Sequence, residues 1–202
     1  MSVCYIVGAG DFFGTLEPKQ GDFVIAADGG LDTLRRIGVS PDLLIGDLDS
    51  LTGSAEGIDT FRHPVEKDET DTYLAYLEGV RRGYTDFVIH GGVGGRLDHT
   101  FANLSLLIYG KRRGHSIVLI DKGMKISAIK NESVTLMPGE CRSFSLLAFD
   151  GVANGVTIKG AKYDGESITL SPEFPLGVSN SLVGRPCKIT VTDGELILMV
   201  SE

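Results

Sequence analysis

The chain has no tryptophan and only three cysteines, Cys4, Cys141 and Cys187, which lie far apart in its 202 residues. Because no two of them form a CxxC pair, they suggest neither a zinc site nor a disulfide framework. No run of about 18 apolar residues is present, so a membrane-spanning helix is not expected. The first residues run directly into a strand-like segment without a basic, cleavable leader. We therefore expect a cytoplasmic protein that has no membrane partner.

Positive charge is also scarce, since 19 lysines and arginines face 27 aspartates and glutamates, for a net charge of -8. Such a chain has no general attraction for nucleic acid or for an anionic membrane surface. The 42% hydrophobic and 23% charged residues are those of an ordinary globular protein. An anionic substrate would therefore have to be held by local positive groups and a metal ion.

Strand-like and helical patterns alternate up to about residue 122. This alternation predicts a mostly parallel α/β sheet with helices on both faces, whose ligands lie beyond the carboxyl ends of the strands. The strand-like runs are Val3–Val7, Phe23–Ala27, Leu43–Ile45, Phe87–His90 and Ile117–Ile120. The residues at helical spacing are Leu31, Leu34 and Ile37, then Tyr73, Leu74, Leu77 and Val80, then Leu97, Phe101, Leu104 and Ile108.

From residue 123 to residue 202 the pattern changes to short alternating runs separated by turn dipeptides such as Asp-Gly and Asn-Gly. This part predicts an antiparallel β-sandwich or barrel. We therefore expect two domains, 1–122 and 123–202. The predicted strands of the second are Ser133–Met137, Ser143–Phe149, Gly155–Lys159, Ser167–Leu170, Cys187–Val191 and Glu195–Val200.

Three acidic clusters each follow an apolar run of the first domain. If those runs are parallel strands, the clusters meet at one edge of the sheet. Carboxylates within about 5 Å of each other repel by a few kcal/mol at an effective dielectric near 20, so such a cluster normally holds a cation, most simply Mg²⁺. The clusters are Asp47, Asp49 and Ser50; Asp68, Thr70 and Asp71; and Asp98.

Simpler interpretations of several of these residues remain open. Gly8 to Gly10 could be a phosphate-binding turn or an ordinary tight turn. Asp28, followed by Gly29 and Gly30, ends a strand and either lies beside an anion at the next helix or serves as that helix's N-cap. Asp68 or Thr70 could likewise act only as a helix cap.

The most specific segment runs from Gly91 to His99, with four glycines in five residues followed by an arginine. The glycines allow the backbone to approach phosphate oxygens closely, and Arg96 can bind them with two hydrogen bonds. The segment lacks the Gly-Lys-Ser/Thr of a P-loop, so an ordinary nucleoside triphosphatase is not indicated. His99 is either a base or nucleotide contact or a surface group at a helix start.

Taken together, these segments resemble the thiamine pyrophosphokinase family. The resemblance rests on Gly46 to Ser50, Asp68 to Asp71 and Gly94 to His99, in this order and on this two-domain plan, and it covers nearly the whole chain. It implies transfer of a pyrophosphoryl group from ATP to the hydroxyl of thiamine, with Mg²⁺ required and AMP released. It also implies a homodimer in which the α/β domain of one subunit and the β domain of the other enclose thiamine.

The resemblance also implies roles for individual residues. The first domain would bind ATP and Mg²⁺ and carry out catalysis, and the second would contribute to thiamine binding and dimerisation. Some members place a tryptophan near thiamine, which this chain lacks. The expected catalytic residues are Asp47, Asp71 and Asp98, with Asp71 or Asp98 as the base. The expected Mg²⁺ ligands are Asp47, Asp49 and Asp71. The residues expected to contact ATP or thiamine are Asp28, Gly29, Ser50, Thr70, Gly94, Gly95, Arg96, His99, Ser179 and Asn180.

Two other functions stay open on the residues alone. A different metal-dependent phosphoryl or nucleotidyl transferase would keep the acidic edge but use another acceptor. A binding protein for a nucleotide or vitamin would keep the pockets without turnover. Consumption of ATP only in the presence of thiamine would separate both from the first interpretation.

Overall fold

A computed structural model describes residues 2–46, 57–62 and 69–201 of the chain. The chain folds into two compact units. The first comprises residues 1–106 and 115–122, and the second comprises residues 107–114 and 123–202. In the part of the chain that the structure describes, none of the helices combines the length and the apolar character that crossing a membrane requires.

The first unit is built on a parallel sheet with the strand order β6-β5-β1-β2-β3-β4. Its helices connect strands that run in the same direction, as parallel pairing requires. The strands are β1 (Val3–Val7), β2 (Phe23–Ala27), β3 (Leu43–Gly46), β4 (Thr60–Arg62), β5 (Asp86–His90) and β6 (Ser116–Asp121). The helices are α1 (Gly30–Ile37), α2 (Asp71–Arg81) and α3 (Leu97–Arg112), whose last turns belong to the second unit.

Helices cover both faces of this sheet, as the sequence predicted. Leu31 and Leu34 of α1 pack in one buried cluster with Val7, Val24 and Leu44 of the strands. On the opposite face α2 approaches closely through a glycine, because a Cβ at Gly79 would lie 2.6 Å from the Phe87 ring and 3.0 Å from the Cys4 sulfur. The close approach explains the glycine at position 79.

The spacing of apolar residues predicted α2 and α3 correctly, and of the spaced residues some are buried and others exposed. In α2 the buried side chains include Ala75 and Tyr76, whereas Leu77 is exposed. In α3 Leu97 and Phe101 are exposed at 69% and 53% of their surface. The buried residues of α3 are Asn103, Leu104, Leu106, Leu107 and Ile108.

The second unit is a β-sandwich of two antiparallel sheets, with the orders β12-β9-β14-β7 and β11-β10-β13-β8. Side chains from both sheets, among them Phe144, Leu146, Val156, Ile189 and Leu196, form one buried cluster. The strands of the first sheet are β7 (Met124–Lys130), β9 (Ser143–Leu147), β12 (Asn180–Ser181) and β14 (Glu195–Ser201). Those of the second are β8 (Ser133–Leu136), β10 (Ala153–Lys159), β11 (Gly165–Leu170) and β13 (Cys187–Thr190).

Two strands of the sandwich were not predicted. Strand β7 contains two lysines and an alanine, which are poor strand formers, yet it pairs with β14 along its whole length. Strand β12 is only two residues long and includes Asn180, which the sequence analysis named only as a ligand contact. Both owe their structure to pairing partners that are distant in sequence.

Candidate active site

The carboxyl ends of the first unit's strands are joined through their backbones. The amide of Gly8 donates to the carbonyl of His90 at 2.8 Å, and the amide of Gly10 donates to the carbonyl of Gly91 at 3.1 Å. A Cβ at Gly10 would lie 2.6 Å from that same carbonyl oxygen. The glycines after β1 are therefore needed for contact with the loop after β5, which favours the tight-turn interpretation of this segment.

Asp28 lies at the same edge, where β2 meets α1. Its φ of 51° is left-handed, and its amide donates to the carbonyl of Ile45 at 2.7 Å. The N-cap residue of α1 is Gly29, with no side-chain capping bond, so the N-cap role considered for Asp28 is wrong. A Cβ at Gly30 would come within 1.8 Å of the Val7 carbonyl oxygen, which explains the glycine there.

Gly46, the last described residue before the first acidic cluster, lies beside Asp28. Strand β3 ends at Gly46, where an added Cβ would lie 3.2 Å from the Cα of Asp28. Asp47, Asp49 and Ser50 follow, but they lie outside the described residues, as does Asp68 of the second cluster.

Thr70 and Asp71 open α2. Thr70 is the N-cap, and its hydroxyl accepts a hydrogen bond from the amide of Tyr73 at 3.2 Å. This confirms the capping interpretation of Thr70, a contact that contributes about 1 kcal/mol in typical helices. Asp71 occupies the first turn, where the helix dipole favours a carboxylate. Helix α2 packs against β1, β2 and β3.

The glycine-rich loop after β5 contains two pairs of glycines with different roles. Gly91 and Gly92 are packed, because a Cβ at Gly91 would lie 2.7 Å from the Gly8 carbonyl oxygen and one at Gly92 3.1 Å from Ile89. Gly94 and Gly95 have positive φ values of 83° and 64°, and no described atom lies within 4 Å of their Cβ positions. The open pair is the part of the loop whose amides a ligand could reach.

Arg96 and Asp98 form an exposed ion pair directly after the open glycines. Arg96 donates from Nε to Oδ1 at 3.2 Å and from Nη2 to Oδ2 at 2.6 Å, and the amide of His99 donates to Oδ1 at 3.0 Å. These hydrogen bonds, chiefly those from Arg96, lower the pKa of Asp98 to about 2. The imidazole of His99 is exposed in the first turn of α3.

Two buried polar residues beside this loop were not among the predicted site residues. Asn103 of α3, 4% exposed, donates from Nδ2 to the Gly92 carbonyl at 2.7 Å. His90, 2% exposed, donates from Nδ1 to the Phe13 carbonyl at 3.0 Å and stacks on Phe12. The sequence signal for Asn103 was an amide on the same helix face as Leu106 and Leu107.

In the second unit, Asn180 lines a cavity of about 400 Å³ together with Tyr163, Leu176 and Val178, whereas Ser179 is not among the lining residues. Asn180 is buried, and its side chain holds the backbone of Tyr163: Oδ1 accepts from the Tyr163 amide at 3.1 Å and Nδ2 donates to its carbonyl at 2.8 Å. The Tyr163 side chain is 60% exposed. Asn180 thus acts on the cavity through Tyr163.

The donor chemistry of the predicted metal site fits a hard cation. Among the described residues, no three histidine, cysteine, aspartate or glutamate side chains are grouped so as to hold a metal ion. Of the three predicted Mg²⁺ ligands, Asp71 is described, whereas Asp47 and Asp49 lie outside the described ranges. All three are carboxylates, the ligand type that Mg²⁺ prefers.

A parallel sheet with a glycine-arginine loop at its carboxyl edge, joined to a β-sandwich that has its own cavity, defines a two-domain group-transfer enzyme. The sequence profile of the thiamin pyrophosphokinase catalytic domain matches residues 16–119, and that of the family's vitamin B1 binding domain matches residues 129–196. The chain therefore belongs to the thiamine pyrophosphokinase family, whose known reaction is pyrophosphoryl transfer from ATP to thiamine. It is an enzyme of that family.

Known relatives agree in sequence and in fold. The chain is 28% identical over 186 residues to thiamine pyrophosphokinase of Bacillus subtilis strain 168, covering 88% of this chain and 86% of that one. The crystal structure of thiamine pyrophosphokinase from Bacillus subtilis superposes with a TM-score of 0.88, at 26% identity over 98% of each chain. That of Geobacillus thermodenitrificans gives 0.87, at 25% identity over 99% of this chain and 97% of the other.

Proposed function

We propose that the chain transfers the pyrophosphoryl group of ATP to the hydroxyl of thiamine in a Mg²⁺-dependent reaction that releases AMP. The observation that carries the proposal is the open Gly94-Gly95 pair followed by Arg96, at the carboxyl edge of a sheet in a chain that matches both family domains. Because polyphosphates bind at this edge in open α/β sheets, the fold supports the same placement here.

In this proposal the phosphates of ATP meet the amides of Gly94 and Gly95 and the guanidinium of Arg96. The pairing with Asp98 holds the guanidinium in a fixed orientation before ATP arrives. A planar guanidinium can bind two phosphate oxygens at once, which a lysine cannot do. Orientation of the polyphosphate is the main requirement, since attack at the β-phosphorus needs the bond to AMP in line with the nucleophile.

We assign Asp47, Asp49 and Asp71 as the side chains that hold Mg²⁺. A bound Mg²⁺ would neutralise charge that develops on the phosphoryl oxygens. The thiamine hydroxyl oxygen forms a bond to the β-phosphorus while the bond from that phosphorus to the oxygen bridging it to AMP breaks. The hydroxyl proton passes to a carboxylate late in this step, and AMP leaves with the electron pair of the broken bond.

The candidate bases are Asp71 and Asp98. The Arg96 hydrogen bonds lower the pKa of Asp98 to about 2, and coordination to Mg²⁺ would likewise make the Asp71 carboxylate a weaker proton acceptor. A carboxylate of modest basicity suffices, because the proton leaves late in the step. In our proposal Asp98 also orients Arg96. His99 lies next to this pair, and we propose that it contacts the nucleotide.

We propose that the cavity of the second unit binds the rings of thiamine. Its volume of about 400 Å³ suits a small molecule, and its lining combines apolar side chains with a few polar groups. Tyr163 alone among the lining residues is aromatic, and an aromatic face attracts a cationic ring such as the thiazolium of thiamine. In a chain without tryptophan, Tyr163 would supply the aromatic contact, with Asn180 as a polar lining residue; Ser179 stays a proposed thiamine contact on the family resemblance alone.

We further propose that the enzyme is a homodimer in which a second copy completes each thiamine site. Exposed apolar side chains of the second unit support a covered surface there: Phe174, Leu176, Val178 and Val183. Light scattering at assay concentration is the direct test. A fully active, monodisperse monomer would contradict the shared site.

The reaction is tested by its dependence on the acceptor and by the nucleotide product. ATP should be consumed only when thiamine is present, and the nucleotide formed should be AMP. Formation of ADP, or release of inorganic pyrophosphate, would favour a different transferase. Intact ATP with a folded protein would favour a binding protein.

A further inference from the structure

The glycine-rich loop is fixed at both ends and open in its middle. At its start, the carbonyl of Gly91 accepts from the amide of Gly10, and at its end the carbonyl of Arg96 accepts from the amide and hydroxyl of Thr100 at 3.1 and 3.2 Å. The open pair, Gly94 and Gly95, lies between these points. Glycines lose more backbone freedom on ordering than other residues, so a loop of this kind needs an anchor near its open part.

Asn103 is that anchor. Its amide reaches back 11 positions from α3 and donates to the Gly92 carbonyl at 2.7 Å, two residues before the open pair. It also occupies the space that a side chain at position 92 would need, since a Cβ there would lie 3.2 Å from Nδ2 and 3.3 Å from Leu119. A glycine at position 92 therefore leaves the space that the Asn103 side chain occupies.

The Asn103 amide affects both stability and the geometry of the loop. Asn103 is 4% exposed on the helix face that also carries the buried Leu106 and Leu107. A leucine at this position would leave the buried Gly92 carbonyl without its donor, which costs folding free energy. What the amide contributes, and a leucine could not, is a fixed direction for the Gly92 carbonyl.

We propose that Asn103 is a positioning residue for polyphosphate binding: through its hydrogen bond to the Gly92 carbonyl it sets the loop that presents the Gly94 and Gly95 amides and Arg96. The inference rests on the proposed function, because it takes ATP as the ligand of this loop. The expected consequence is selective, since the thiamine cavity is built from residues of the second unit.

The test measures binding of the α,β-methylene analogue of ATP with Mg²⁺ by calorimetry, and KM values for ATP and thiamine, in two variants. Asn103→Leu keeps the size but loses the donor, and Asn103→Asp keeps the shape but places an acceptor against the carbonyl. Both should weaken analogue binding about tenfold and raise the KM for ATP by a similar factor, with the KM for thiamine within about twofold of wild type.

Tyr76→Phe is the matched control, because it also removes a side-chain hydrogen bond of the first unit, the partly buried one between the buried Tyr76 hydroxyl and Nδ1 of His115 at 2.6 Å. His115 directly precedes β6, at the amino end of the sheet and away from the loop. The control should lose stability and keep wild-type affinity for the analogue.

Wild-type affinity in either folded Asn103 variant would overturn the inference, as would equal increases in both KM values. Failure of both variants to fold would also overturn it, because Asn103 would then be a requirement of the core. A wild-type protein that does not bind the analogue would refute the proposed function itself. If the wild-type protein binds the analogue but does not convert thiamine, only the proposal that thiamine is the acceptor is refuted.

Discussion

Arg96 and Asp98 are joined by two parallel hydrogen bonds, with Nη2 of the arginine 2.6 Å from Oδ2 of the aspartate. Both side chains are largely exposed, so the pair is not a stability element of the core. It fixes the plane of the guanidinium beside the open glycines. The pair therefore links a carboxylate expected to be catalytic with the group expected to hold phosphate.

Arg96→Lys should lower kcat/KM for ATP by tenfold or more, because an ammonium group cannot bind two phosphate oxygens in one plane. Steady-state kinetics with saturating thiamine measures this effect. Arg35→Lys is the matched control, since Arg35 forms a similar exposed pair with Asp32 in α1 at 3.3 Å. Equal kcat/KM for ATP in wild type and Arg96→Lys would remove Arg96 from the phosphate site.

Asp71→Asn should lower kcat at least about a hundredfold, because it removes a proposed Mg²⁺ ligand and a candidate proton acceptor. Asp32→Asn serves as control, since Asp32 also lies in the first turn of a helix. The control should show only the small stability change expected from the helix dipole. Near-wild-type turnover in a folded Asp71→Asn protein would show that Asp71 is neither a required Mg²⁺ ligand nor the base.

Tyr163→Ala should raise the KM for thiamine about tenfold and leave the KM for ATP unchanged, because it removes the aromatic face of the cavity. Tyr163→Phe keeps the ring and should bind thiamine nearly as well as wild type. The comparison separates the ring from the hydroxyl. Equal KM values for thiamine in the alanine and wild-type enzymes would exclude Tyr163 as the aromatic contact.

Burial lowers the pKa of His90 in the folded protein, so its contribution to stability depends on pH. Above the unfolded value of about 6.5 the imidazole is neutral in both states and the contribution is complete; it is lost as the pH falls through the folded pKa. Wild type should therefore lose stability below pH 6.5, with a slope from this residue of at most about 1.4 kcal/mol per pH unit.

His90→Phe keeps a ring that can stack on Phe12 but cannot donate to the Phe13 carbonyl. At pH 7.5 it should be less stable than wild type by about 1 kcal/mol, a typical cost for a lost buried hydrogen bond. Urea denaturation at pH 8.5, 7.5 and 5.5 gives the free energy of unfolding of both proteins. The difference between wild type and His90→Phe should be the same at pH 8.5 and 7.5 and smaller at pH 5.5. If the difference in unfolding free energy is as large at pH 5.5 as at pH 7.5, His90 is not a buried imidazole that is neutral in the folded protein.

Five of the six described strands of the parallel sheet were predicted, and the three-residue β4 was not. Strands β1 and β2 have the predicted bounds, because both are short β-branched runs ended by glycine or aspartate. The buried face of α2 was less predictable, since it depends on Gly79 fitting against Phe87, a contact between distant residues. Strand β12 likewise exists only through its pairing with β9.

In the candidate site, too, local sequence features were predictable and contacts between distant residues were not. The Gly-Gly-Arg segment and its place after a strand were evident from the sequence, whereas the different roles of Gly91 and Gly94 were not. All glycines look alike in a sequence, and only the neighbouring backbone of Gly8 distinguishes the packed one. Asn180 was expected to contact thiamine, but its hydrogen bonds to Tyr163 are visible only in three dimensions.

The most direct measurement is to incubate the purified protein with ATP, Mg²⁺ and thiamine, with and without excess EDTA, and to quantify nucleotides and thiamine species by chromatography. We expect AMP and thiamine diphosphate in equal amounts, and neither when EDTA is present. Intact ATP with a folded protein, or product formation that EDTA does not reduce, would contradict the Mg²⁺-dependent pyrophosphoryl transfer proposed for this chain.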